Sequence, residues 1–336
     1  DKIDYLSSLM DLESTNKTIE ELQDFLKTNN LSAQLNTYTT KFITSKLEKI
    51  KAALNFLFVS KNTNIKTHYT YFGRTKSGIL TKALAYLIIE KYREIFINKN
   101  LKKEIDYKTP FVYFPLHQEP ERVLLIASPF YTNQIETVRH IAKSLPPDYK
   151  LFVKEHPTQT IRGWREISFY KEILEIPNVE LLHPSISSEQ IMKKCSLVIT
   201  VGGTSGLEAA FYQKPSIIFA DMGYGVLPSV HRIKSVTELP DAIRTSLQKT
   251  VNPNDLGKYV DIVEKNSFEF DNTGFQIEYT DYFYYGGHLA DVEIPEEKMK
   301  SFLEEHRSTL EQIASEYVKK IKQHKEYQSK YPGNNP

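Results

Sequence analysis

The stretch that decides the fold is Val198-Ile-Thr-Val-Gly-Gly-Thr-Ser-Gly-Leu-Glu-Ala-Ala210, in which an apolar strand runs through a glycine-rich turn into a helix. Glycine lets backbone approach a ligand closely because it has no side chain. Thr204 or Ser205 can cap the helix. Its first N–H groups favour a bound phosphate. The alternative is a tight turn that binds nothing. The predicted donor-binding residues here are Gly202, Gly203, Thr204, Ser205, Gly206 and Glu208, the last placed to bond sugar hydroxyls.

Around this stretch, apolar strands alternate with helical segments. This alternation predicts an α/β fold over 109–250, a Rossmann-like, doubly wound parallel sheet with helices on both faces. In such sheets ligands bind outside the carboxyl ends of the strands. Val123–Ala127 fits either a strand or a loop. The other predicted strands span 111–115, 149–154, 179–182, 197–201 and 216–220, and the predicted helices span 133–144, 187–195 and 239–247.

The flanking regions have a different character. Residues 1–108 are expected to be mostly helical, with a Thr-x-x-Glu capping box at Thr18 and further helices over 41–59 and 79–97. After 250, the pattern predicts an extension with an aromatic-rich hairpin or loop over 272–287 and one long amphipathic helix from Pro295 to about Tyr327. The predicted divisions are therefore 1–108, 109–250 and 251–336.

Composition excludes several classes of protein. The 336 residues carry 43 Lys and Arg against 42 Asp and Glu, a net charge of +1, which argues against a nucleic-acid partner or a polybasic membrane anchor. The single cysteine, Cys195, excludes an intramolecular disulfide and a cysteine zinc site, and we interpret it as a core residue. The lack of disulfides makes the cytoplasm the expected compartment, and no signal peptide or apolar run near 18 residues is seen.

A second motif, Lys154-Glu-His-Pro157, follows a predicted strand. His156 can donate a hydrogen bond to a phosphate oxygen, and when protonated it can neutralise a leaving phosphate. Lys154 and Pro157 are assigned to donor binding with it. The alternative is a surface loop in which the His-Pro pair occurs by chance.

A third motif, Tyr113-Phe-Pro-Leu-His-Gln-Glu-Pro-Glu121, follows the first strand of the sheet. A carboxylate here can act as nucleophile or base in glycosyl chemistry. Glu121 and His156 are the candidate catalytic residues. The alternative is a polar, solvated loop. The other candidates in this loop are His117, Gln118 and Glu119.

Taken in chain order, the motifs at 113–121, 154–157 and 202–210 resemble the capsule polysaccharide biosynthesis family, which includes the Kdo transferases of bacterial capsule assembly. The resemblance covers roughly residues 109–245. It implies a GT-B glycosyltransferase with two Rossmann-like domains, and it suggests that residues 1–108 are a truncated acceptor domain. Glu121 stands where those enzymes carry an Asp, and His117 stands where several carry Gln, which puts Kdo as the donor sugar in doubt.

The resemblance also implies substrates and partners. His156 and Pro157 match the element that holds the donor phosphate, Thr204 and Ser205 match the hydroxyls at the phosphate-binding helix, and Glu208 matches the glutamate on the nucleotide sugar. The donor is expected to be a nucleotide sugar, CMP- or UDP-linked, serving as substrate with no separate cofactor. The acceptor is expected to be a glycan or glycolipid, with peripheral association with the inner membrane or a capsule assembly complex.

The sequence also bears on whether the site needs a metal and on which other functions are possible. No Asp-x-Asp occurs in the chain, which favours a metal-independent site in which a helix dipole and cations stabilise the diphosphate. The competing functions are a non-hydrolysing sugar-nucleotide epimerase and a non-catalytic nucleotide-sugar-binding subunit of capsule assembly.

Overall fold

The central feature of the computed structural model, which describes residues 2–29, 46–59, 76–119, 121–159, 163–284 and 294–330, is one parallel sheet. Its six strands lie in the order β3-β2-β1-β4-β5-β6, the order of Rossmann-type folds, which turns back between β1 and β4. The predicted parallel sheet is therefore confirmed. The strands are β1 Phe111–Pro115, β2 Lys150–Lys154, β3 Val179–Leu182, β4 Leu197–Thr200, β5 Ser216–Ile218 and β6 Val230–Arg232.

Side chains alternate between the two faces of the sheet, as strand geometry requires. In β1, Val112 and Phe114 belong to one buried cluster, whereas Phe111 and Tyr113 belong to another. Both faces are buried, so the strands read as continuous apolar runs. Cys195 is buried on the face of Tyr113, where burial raises the pKa of its thiol to about 12. The interpretation of Cys195 as a core residue is confirmed.

The helices that cover the sheet match most of the predicted segments. Asn133 and Ser187 each cap a helix by accepting a hydrogen bond from a backbone N–H three residues on. Among the described residues, the helices are α1 Lys2–Leu12, α2 Ile19–Thr28, α3 Lys46–Leu54, α4 Lys76–Asn100, α5 Gln134–Ser144, α6 Ile167–Leu174, α7 Ser188–Lys194, α8 Ser205–Phe211, α9 Leu239–Leu247, α10 Pro253–Asn266, α11 Asn272–Tyr284, α12 Glu296–Glu305 and α13 Arg307–Lys330.

The amino-terminal helices α1 and α2 pack in the same unit as the sheet. The capping box predicted at Thr18 is present, since its side chain and that of Glu21 bond each other's backbone N–H groups. Phe25 of α2 stacks on Phe211 of α8 with 6.4 Å between ring centroids. The described residues of Lys2–Leu31 and Leu87–Asn266 form one compact unit, and those of Ser32–Tyr86 and Ser267–Pro336 form another. The predicted boundaries after 108 and 250 therefore differ from this division.

Three sequence-based assignments need correction. Val123–Ala127 is a π-helical turn, neither strand nor loop. The aromatic segment from Asn272 is helical to Tyr284, while 285–287 lie outside the described residues. The long carboxyl-terminal helix is two helices separated at His306. Residues 41–45 of the predicted 41–59 helix also lie outside the described part. None of the described helices combines the length and apolar character needed to cross a bilayer.

Candidate functional site

The three sequence motifs lie at the carboxyl ends of neighbouring strands. The loop containing His117 follows β1, the loop containing His156 follows β2, and the glycine turn follows β4; β1 pairs with both β2 and β4. Between β1 and β4 the strand order reverses, which is where ligands bind in open parallel sheets. The fold thus brings all three motifs to one edge.

His117 connects the β1 loop to the glycine turn. The backbone N–H of Gly202 donates to His117 Nε2 at 3.4 Å, and Thr200 Oγ1 lies 3.1 Å from the same atom. Because Nε2 accepts, the proton is assigned to Nδ1. Nδ1–H then donates to Glu121 Oε2 at 2.9 Å. The ring of His117 is buried, whereas the side chain of Glu121 is 33% exposed, so a buried histidine orients an accessible carboxylate.

A buried cluster of Glu155, Arg165 and Tyr170, hereafter the Glu155 cluster, holds the β2 loop in place. The carboxylate of Glu155 is fully buried, and it accepts from Arg165 Nε at 2.9 Å and from Tyr170 at 2.8 Å. Arg165 Nη2 also donates to the carbonyl of His117. The sequence reasoning missed Arg165 and Tyr170, since nothing local marks residues ten and more positions downstream as partners of Glu155.

His156 is a neutral hydrogen-bond donor. The backbone N–H of Thr158 donates to its Nδ1 at 3.2 Å, and Thr158 Oγ1 lies 2.7 Å from Nδ1. The ring proton is therefore on Nε2, which has no hydrogen-bond partner in the described part of the chain. Burial, with the neighbouring His117 and Lys154, lowers the pKa of His156 to about 4. The sequence-based role for a protonated His156 is corrected accordingly: near neutral pH it donates a hydrogen bond but carries no charge.

Lys154 supplies a buried positive charge beside His156. Its side chain is 2% exposed, and Nζ donates to Ser188 Oγ at 2.8 Å. Burial lowers the pKa of Lys154 to about 8, opposed by the charges of Glu155 and Glu208. At neutral pH the ammonium is mostly protonated, so it can interact with a bound anion.

The buried ammonium predicts a pH dependence of stability that the variant Lys154→Met should lack. Between pH 8 and 10.5 the unfolded chain holds the Lys154 proton more often than the folded chain does. Raising the pH through this window should therefore stabilise the wild type relative to Lys154→Met, by at most about 1.4 kcal/mol per pH unit. Urea unfolding of both proteins at several pH values measures the difference. A constant difference across the window would contradict the lowered pKa.

The glycine turn differs in detail from the sequence-based expectation. Thr204 and Ser205 make no side-chain cap; Thr204 Oγ1 instead donates to Glu208 Oε1 at 2.7 Å. Burial raises the pKa of Glu208. The protein's own packing requires glycine at two positions. A Cβ would lie 2.8 Å from Ala220 Cβ if added at Gly202, and 2.9 Å from the hydroxyl of Tyr224 if added at Gly206.

The remaining candidates link the β1 and β2 loops or face solvent. Glu119 pairs with Arg165 Nη1 at 2.8 Å, and its backbone N–H donates to Gln159 at 3.1 Å. Gln118 Nε2 reaches the carbonyl of Thr158 at 3.5 Å. Pro157 is exposed. Among the described residues, no three His, Cys, Asp or Glu side chains are arranged to hold a metal ion.

The solved structures that match this chain do so with low sequence identity and low TM-scores. UDP-GlcNAc 2-epimerase from Methanocaldococcus jannaschii is 18% identical with a TM-score of 0.36, covering 52% of this chain and 49% of that one. The β-Kdo 2,7 transferase KpsC from Thermosulfurimonas dismutans is 12% identical with a TM-score of 0.34, covering 63% and 57%. The chain thus spans about half the length of these proteins. No curated protein matched it by sequence.

A family model gives the clearest relationship. The model described as capsule polysaccharide biosynthesis protein matches residues 18–226, which is more than half of the chain. The match contains β1 to β5 and all three motifs. The chain therefore belongs to the capsule polysaccharide biosynthesis family.

Proposed function

We propose that this protein is a glycosyltransferase that moves a sugar from a nucleotide-sugar donor to a capsule or lipopolysaccharide type of acceptor. The observation that carries the proposal is the hydrogen-bonded connection from Glu121 through His117 to Gly202. It joins a candidate base to a candidate phosphate-binding turn at the point where the strand order reverses. A glycosyl transfer needs both functions within reach of one anomeric carbon.

The phosphate or diphosphate of the donor is proposed to lie against the glycine turn. His156 Nε2–H donates to a phosphate oxygen, and the backbone N–H groups of Thr204 and Ser205, without partners in the described part of the chain, donate to others. Lys154 contributes positive charge. Glu208 bonds hydroxyls of the nucleotide sugar, which we expect to be CMP- or UDP-linked. The charge that develops on the leaving group is thereby stabilised without a metal.

The acceptor is proposed to be activated by Glu121. Its carboxylate takes the proton from an acceptor hydroxyl, and that oxygen bonds to the anomeric carbon of the donor sugar. The bond from the anomeric carbon to the phosphate oxygen breaks, and its electron pair stays on the phosphate. His117 keeps Glu121 oriented by donating from Nδ1. We expect the acceptor to be a glycan or glycolipid, met at the cytosolic face of the membrane or within a capsule assembly complex.

A donor panel tests this proposal. The full chain is incubated with CMP-, UDP- and GDP-sugars and oligosaccharide acceptors, with and without a chelator. We expect transfer of the sugar, undiminished by the chelator. Epimerised donor would indicate the epimerase alternative, and donor binding without conversion would indicate a binding subunit. Activity that depends on added manganese would contradict the metal-independent mechanism.

His156→Ala tests the proposed phosphate contact. Loss of a hydrogen bond to a charged group is expected to weaken binding of the nucleotide by about 1.5–3 kcal/mol. Because the pKa of His156 is about 4, the His156-dependent part of the affinity should not change between pH 5.5 and 7.5. Isothermal titration calorimetry of UDP and CMP with the wild type and with His156→Ala, at both ends of this pH range, measures the affinities. Equal affinities, or an effect that appears only below pH 6.5, would contradict the neutral-donor assignment.

A further inference from the structure

A cavity of about 630 Å³ opens beside the β1 loop, within the size range of small-molecule sites, about 300–1,000 Å³. It is formed by this loop, the π-helical turn, the start of α5, Gln159 of the β2 loop, and α6 with the residues just before it. Leu124, Leu125, Ile135 and Phe169 provide apolar surface. Glu121 lines the cavity as well, so whatever occupies it lies against the carboxylate that His117 orients.

Arg165, one of the residues that line the cavity, is held in place by its neighbours. The side chain of Arg165 is 4% exposed, and its Nε and Nη2 are bonded to Glu155 and to the carbonyl of His117. Nη1 lies 2.8 Å from Glu119 Oε1, yet within the described residues it has no acceptor in hydrogen-bond geometry. Because Nη1 is buried and lies beside the Glu119 carboxylate, Arg165 forms a fixed part of the wall and not a contact for a ligand.

The charges around the cavity determine which kind of ligand it can bind. The cavity is lined by three carboxylates, those of Glu119, Glu121 and Glu166. Two other charged residues of the lining have partners of opposite charge: Arg165 pairs with Glu155, and Glu172 pairs with Arg139. The cavity is therefore negative, and a carboxylate or phosphate ligand would be repelled. A hydroxyl group carries no charge and can donate a hydrogen bond to a carboxylate. A sugar carries several such groups on one ring.

We propose that this cavity binds an uncharged sugar ring of the acceptor and excludes acidic sugars. The inference rests on the glycosyltransferase function proposed above and adds the substrate class. One hydroxyl of the ring donates to Glu121, which removes its proton during transfer. The hydrocarbon face of the ring lies against the apolar wall at Leu125 and Ile135.

Adjacent residues provide a matched pair of variants. Leu125 and Ile126 are both exposed in the same π-helical turn, at 56% and 71%, but only Leu125 lines the cavity. Leu125→Trp should fill the cavity, whereas Ile126→Trp should leave it open. Binding of the methyl glycosides of glucose, galactose, mannose and N-acetylglucosamine, and of methyl glucuronide, is measured by saturation-transfer NMR on the full chain. UDP and CMP binding is measured separately by calorimetry.

We expect at least one uncharged glycoside to bind wild type and Ile126→Trp equally, and Leu125→Trp at least tenfold more weakly. The glucuronide should bind wild type at least tenfold more weakly than that glycoside. Nucleotide affinity should be the same in all three proteins. Failure of every uncharged glycoside to bind, tighter binding of the glucuronide, or equal binding by the two Trp variants would overturn the inference. Failure of the wild type to bind either UDP or CMP would instead count against the proposed function.

Discussion

Replacing Glu121 with glutamine is expected to lower the rate of sugar transfer by about 10²–10⁴-fold, the usual contribution of a general base. The amide keeps the shape of the side chain but cannot accept the proton of the acceptor hydroxyl. Donor affinity should be unchanged, because the proposed phosphate contacts come from His156, Lys154 and the glycine turn. Transfer rates with saturating donor, together with calorimetric donor affinities, measure the two effects.

The control for this variant is Glu136→Gln. Glu136 is an exposed carboxylate in the first turn of α5, paired with Arg139, and its replacement should change neither rate nor affinity. Near-normal transfer by Glu121→Gln would reduce Glu121 to a loop residue. A covalent sugar adduct on Glu121 in the wild type would identify it as a nucleophile instead of a base.

Replacing Arg165 with methionine is expected to lower the free energy of unfolding by about 3–5 kcal/mol, the cost of breaking a buried ion pair. Of its donors in the described part of the chain, the fully buried Glu155 would keep only Tyr170 and the backbone N–H of His156. The carbonyl of His117 would also lose its bond from Nη2. Urea unfolding followed by circular dichroism measures the loss.

Two further variants separate this effect from a general loss of charge. Arg244→Met removes an exposed pair with Asp241 and should cost no more than about 1 kcal/mol. The double variant Arg165→Met/Glu155→Leu should recover part of the stability, because no uncompensated charge stays buried. A single-variant loss as small as that of Arg244→Met would show that the Glu155 cluster does not hold the β2 loop.

The sequence was most informative about the sheet. β1, β2, β3 and β4 are apolar runs followed by turn residues, and their positions are recognisable because both faces are buried. The edge strand β6, Val230–Arg232, escaped prediction because it has three residues and only Val230 is buried. The aromatic content of the segment from Asn272 favoured a hairpin or loop, yet Asn272–Tyr284 is helical.

The site was only partly predictable. Local patterns identified His117, Glu121 and His156, since each follows a strand end. Gln134, which accepts from the backbone N–H of His117 at 2.7 Å, and Thr200 could not be found that way. Their roles depend on contacts between segments 17 and 83 residues apart. That His156 is uncharged near neutral pH could not be predicted from the sequence either, because its lowered pKa follows from burial beside Lys154 and His117.

The most direct test of the account is a crystal structure of the full chain with UDP or CMP bound. The account predicts that the nucleotide phosphate lies at the point between β1 and β4 where the strand order reverses. One of its oxygens should be within about 3.2 Å of His156 Nε2, and the backbone N–H groups of Thr204 and Ser205 should face the phosphate. A nucleotide bound elsewhere on the chain, or a phosphate at this edge that leaves His156 without contact, would contradict it.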